Sequence, residues 1–111
     1  MADLIQQEKL FIQDDVTTRL SKIANNLGAI KREVTTNPDT AASLIKESLY
    51  YVEWTAPNLV EVDVEKAAEL VDVGRTLARW QYRWEKISQD ADALLEVASI
   101  AGNLSEHHIF S

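Results

Sequence analysis

Arg75, Arg79, Arg83 and Lys86 recur at steps of four, four and three. On a helix they form a basic stripe about 130° from the apolar line, with Tyr82 beside it. Guanidinium groups so aligned suit a carboxylate-rich helix or a phosphate. The competing reading is a solvated face, or pairing with the chain's own Glu47 and Glu53. A second group is aromatic. Tyr50, Tyr51 and Trp54, with Leu44, lie 120–180° around from the core line of their helix at about 100° per residue. That helix therefore carries two apolar stripes, which means it is either sandwiched between layers or offers an aromatic patch to a partner. Trp80 and Trp84 sit on an apolar seam and read as core. His107 and His108, the only histidines, lie beside Glu106 and read as solvated tail. With no cysteine and no G-x-S-x-G or P-loop pattern, neither a thiol nucleophile nor a phosphate cradle is expected. No catalytic residue and no cofactor is expected.

Glu61, Asp63, Glu65, Glu69 and Asp72 crowd the start of the third predicted helix. Complementarity to the helix dipole accounts for the first three. Glu69-Leu70-Val71-Asp72 also resembles the E-x-x-D half of the metal motif of all-α nucleotide pyrophosphatases of the MazG type. That resemblance implies a magnesium ion held by acids from two facing helices, here Glu47, Glu69 and Asp72. The other half of the motif, E-x-x-E on the preceding helix, is missing: Glu47 is followed three residues on by Tyr50, and Glu53 by Ala56. A hard divalent ion needs several oxygen ligands, so the set is incomplete.

A second resemblance rests on Lys46-Glu47-Ser48-Leu49-Tyr50-Tyr51-Val52-Glu53-Trp54-Thr55-Ala56-Pro57, on Ala67-Ala68-Glu69-Leu70-Val71, and on the later Trp80 and Arg83-Trp84. These stretches are similar to small helical proteins of unassigned function found in cyanobacteria. The similarity implies a cytosolic cyanobacterial source and carries no activity.

The elements that must position these residues are helices. Three Gly and two Pro in 111 residues favour long uninterrupted helices over a turn-rich β fold. Ile12, Val16, Leu20, Ile23, Leu27, Ile30 and Val34 predict a first helix over Ala2 to Val34, although the earlier Leu4, Ile5, Leu10 and Phe11 drift from that register. Asn37 followed by Pro38 caps a second helix with the core face Ala42, Ile45, Leu49, Val52 and Ala56, expected to stop at Pro57. Asn58 to Val62 reads as a connector. Asp63 caps a third helix, whose seam runs Leu70, Val73, Leu77, Trp80, Trp84, Ile87, Ala91, Leu94, Ala98, Ala101 without a phase slip. Unbroken from Val64 to Ala101, it would be roughly 57 Å long. The alternative is a break near Ser88-Gln89-Asp90.

The expectation is an all-α protein: a long–short–long three-helix antiparallel bundle over residues 1–103, with a loosely held tail over 104–111. The uncovered parts of the long seams call for completion by homodimerisation; the alternative is a four-helix monomer that folds back near Ser88. A net charge of −7 repels phosphate backbones and anionic lipid, so neither nucleic acid nor membrane is an expected partner. No apolar run approaches the ~20 residues of a bilayer span, so a cytoplasmic protein is expected. The functional expectation is a non-enzymatic interaction protein, an adaptor, assembly factor or regulator. It would bind an unidentified protein through Tyr50, Tyr51, Trp54, Arg75, Arg79, Tyr82 and Arg83.

Overall fold

Caps set most of the helix boundaries. Asp15, Asn37, Asp63 and Asp90 each accept backbone N–H bonds from the first turn that follows, from Thr18, Thr40, Lys66, and Asp92 with Ala93. The computed structural model describes residues 2–110. It contains α1 (Ala2–Phe11), α2 (Val16–Glu33), α3 (Pro38–Val62), α4 (Val64–Tyr82), α5 (Trp84–Ile87) and α6 (Ala91–Ser105), then a 3₁₀ turn (His108–Phe110). The described residues form an all-α structure with no strand. No helix among them is long and apolar enough to cross a membrane. Met1 and Ser111, the ends of the expected domain and tail, lie outside the described residues.

The first helix is two. The chain leaves helical geometry after Phe11 and restarts behind Asp15, whose carboxylate caps Thr18 N–H. That bond holds the Asp15 carboxyl below its usual range, since it favours the charged form. The seam is buried only from Leu20 onward, through Ile23, Leu27, Ile30 and Val34; Ile12 is exposed.

The second helix does not stop at Ala56. It runs through Pro57 to Val62, and the expected connector over Asn58 to Val62 is its last turn. A mid-helix proline costs about 3 kcal/mol because it removes one backbone bond and crowds the carbonyl four residues back, here that of Glu53. Glu53 and Pro57 are both exposed, so water can serve that carbonyl, and Leu59 is buried one turn further on. The observed core line of α3 is Ala41, Ile45, Ser48, Val52, Thr55 and Leu59. Ala42, Leu49 and Ala56 of the expected face are only half-buried. Ala41, Ser48 and Thr55 are buried, and α3 packs against both α2 and α4. Its aromatic stripe is half-buried.

The third helix is not continuous. It ends at Tyr82, makes the single turn of α5, and restarts at Ala91 behind Asp90. An unbroken rod of roughly 57 Å would exceed the molecule's longest extent of 40 Å. Instead α6 folds back against α2 and buries Leu94, Val97 and Ala101, while Ala91 of the predicted seam is exposed. Gly74 lets α3 and α4 approach: a Cβ there would stand 3.0 Å from Val52 Cγ1, tighter than ordinary contact.

The segment expected as a loose tail is tied down. α6 continues to Ser105, and Ile109 in the 3₁₀ turn is fully buried in the common core. Ile109→Ala should lower the unfolding free energy by about 2–5 kcal/mol in urea titration; a solvated tail would leave it unchanged. Thr55 Oγ1 is buried without a hydrogen-bond partner. Thr55→Val should therefore leave stability unchanged or raise it by about 1 kcal/mol, measured the same way.

Candidate functional site

The aromatic face of α3 is met first by the chain itself. Phe11, the last residue of α1, is buried and stacks on Tyr51 with ring centroids 4.1 Å apart and planes 10° from parallel. It also meets Trp54 at 5.8 Å, and Tyr50 stacks on Trp54 at 5.5 Å. Tyr50, Tyr51 and Trp54 are thereby half-buried rather than free. Burial, followed by the charge of Glu47, pushes the Tyr51 phenol above its usual range.

A buried cation holds Phe11 there. Arg19 on α2 donates through Nε to Asp14 C=O at 2.9 Å and through Nη2 to Ile12 C=O at 3.0 Å. Its Nη1 reaches Asn58 Oδ1 at 2.8 Å and Trp54 C=O at 3.3 Å on α3. One guanidinium thus satisfies two carbonyls of the α1–α2 corner and ties that corner to α3. Lys22 closes the outside of the corner with an ion pair to Asp14 at 2.6 Å. Periodicity gave no sign of this role, because Arg19 precedes Leu20 in sequence and looks like an ordinary surface cation.

The basic stripe is exposed as expected. Arg75 pairs with Asp72 at 3.0 Å, both well solvated, an interaction worth little by itself. Arg79 and Arg83 border a recess of about 270 Å³ between α4 and α6, floored by Trp80, Ile87, Val97 and Ile100, with Glu96 on the opposite wall. Tyr82 is 90% exposed. Trp80 is buried, whereas Trp84 stands half-buried at the break.

Glu47, Glu69 and Asp72 are not brought together. Glu47 accepts from Asn26 Nδ2 at 3.0 Å, Glu69 turns to His108 at 3.0 Å, and Asp72 takes Arg75. The incomplete magnesium set therefore has no common point on which to close. In its place, Glu69 meets the two histidines expected to be solvated.

The sequence reading also missed a shallow apolar groove of about 540 Å³ along α3 and α4, lined by Leu49, Val52, Ala56, Val60, Val71 and Ala78. Glu53 stands on its α3 wall and Arg75 on its α4 wall. The signal available was small: Gly74 and Ala78 four apart, opposite Ala56. The chain matches no family model, no curated protein and no solved structure.

Arg19→Lys keeps a positive charge but loses the planar fork. It should lower stability by roughly 1–3 kcal/mol and open the Ile12–Asp15 corner to limited proteolysis. A protease-resistant corner in that variant would refute the clamp.

Proposed function

We propose that this protein is a non-enzymatic helical interaction module that works as a homodimer, with the α3–α4 groove as the surface that receives the second copy. The observation that carries the reading is the groove together with its exposed valines. Val60 and Val71 line it, and Val62 and Val64 continue the apolar surface at the α3–α4 elbow, all four at least 39% exposed. A contiguous apolar patch on a chain of this size marks a surface with a partner.

A second copy suits this face for two reasons. The groove is shallow and flanked by antiparallel helices, so two such faces stack as helix pairs do in a bundle. Its charges are also self-complementary. Val52 abuts Gly74, which sets Glu53 and Arg75 at one level on opposite walls. A two-fold axis running along the groove lays each Glu53 over the second copy's Arg75. Tyr82, Arg79 and Arg83 lie outside that face and remain for a further protein, as expected of an adaptor, assembly factor or regulator. Exposed Tyr and Arg are the side chains most used as interface anchors.

Sedimentation equilibrium at tens of micromolar tests the dimer. The wild type should be dimeric, and Val71→Glu should be monomeric with unchanged helicity. Glu53→Arg and Arg75→Glu should each weaken association several-fold, and the double variant should recover it. A monomeric wild type, or a Val71→Glu variant that still dimerises, would rule the proposal out.

A further inference from the structure

We propose that Glu69, His107 and His108 form a binding site for one transition-metal ion of the zinc class, which fastens the C-terminal 3₁₀ turn to α4. Each residue offers one ligand atom, and the three atoms lie within 4.8 Å of one another. Glu69 Oε2 and His108 Nε2 are 3.0 Å apart. A tetrahedral ion with bonds of about 2.0–2.1 Å spaces its ligands about 3.3 Å apart, so that edge already has the right length. The remaining contraction brings the half-buried His107 onto that edge, over no more than the 4.8 Å that now spans the three atoms.

Two adjacent histidines on an extended strand point to opposite sides. Here the turn brings them together, with ring centroids 4.4 Å apart and planes inclined by 31°. The backbone that presents them is held at both sides. His107 N–H donates to Leu104 C=O at 3.1 Å, Phe110 N–H donates to His107 C=O at 3.0 Å, and Ile109, which follows the pair, is fully buried. Glu69 is fixed on a long helix. Such a pair of anchors gives the preorganisation that a solvated tail lacks.

The ligand chemistry selects the metal class. Two imidazole nitrogens and one carboxylate oxygen suit zinc, nickel or copper, whereas magnesium and calcium take oxygen sets. Asp63 and Glu65 share a recess of about 130 Å³ with Glu69 and His108 and add negative charge, opposed by Lys66 alone. One of the two ring nitrogens of His107 has a competing use: Nδ1 accepts from Ile109 N–H at a long 3.3 Å. A metal taking that atom displaces a weak bond. An ion pair between Glu69 and His108 explains one contact of the cluster but leaves the approach of the second imidazole without a purpose.

Calorimetric titration of the full chain, freed of any affinity tag, with zinc chloride tests the site. One ion per chain is expected, with a rise in Tm. Glu69→Gln and His108→Gln should each weaken binding by more than about tenfold, since loss of a ligand costs at least what loss of its supporting hydrogen bond does. The chain has two histidines, so imidazole NMR signals can be read for each, and both should shift together and saturate at one equivalent. Glu69 is partly exposed, and Glu69→Gln should keep the metal-free Tm, which separates lost ligation from lost fold. Absence of saturable binding, unchanged affinity in Glu69→Gln, or a shift of only one imidazole would each overturn the proposal.

Discussion

The seam of α2 must be covered from more than one side, and the reversal between Tyr82 and Ala91 supplies the second cover. Ile23, Leu27 and Ile30 are completely buried, yet α3 alone cannot surround a helix. α6 returns along α2 because the chain stops being helical at Arg83 and again at Ser88–Asp90. Asp90 caps the restart through two N–H bonds. Without that turn, Leu94, Val97 and Ala101 would stand in water on the end of a rod, and the opposite side of α2 would be bare.

Two local devices carry the rest. At one end, Arg19 gathers carbonyls from the α1–α2 corner and α3, so a charged group does the work of several backbone partners. Phe11 is thereby kept on the aromatic face. At the other, Ile109 enters the core and draws two imidazoles to Glu69. Both devices join segments far apart in sequence through polar contacts of specified geometry, while the apolar core between them is largely aliphatic.

The sequence conveyed helix type, the N-caps Asn37 and Asp63, and most of the α2 and α4 seams, because these follow from spacing and residue type alone. It conveyed breaks poorly. The seam through Trp80, Trp84, Ile87 and Leu94 keeps its phase across the α4–α5–α6 turns, and a turn that preserves phase is invisible to periodicity. The break after Phe11 did leave a trace, the register drift of Leu4, Ile5, Leu10 and Phe11. Pro57 misled in the opposite direction, since burial of Leu59 outweighs a local penalty that a sequence rule treats as decisive. Ser48 and Thr55 are fully buried core residues hidden by their polarity. The candidate sites were less legible still. The acids of the E-x-x-D motif share a helix but face different neighbours, and the Glu69–histidine cluster joins residues nearly forty positions apart.

The packing of α6 and Ile109 on α2 also bears on how the chain is made. α2 is synthesised before α6, and part of its seam finds its cover only in residues 91–109. On a ribosome adding about 5–20 residues per second, α2 and α3 can pair within the nascent chain, while the α6 side of α2 waits for several seconds. Until then the exposed strip of α2 is a surface on which nascent chains can adhere to one another or to a chaperone, and completion of the core follows the emergence of α6 and Ile109.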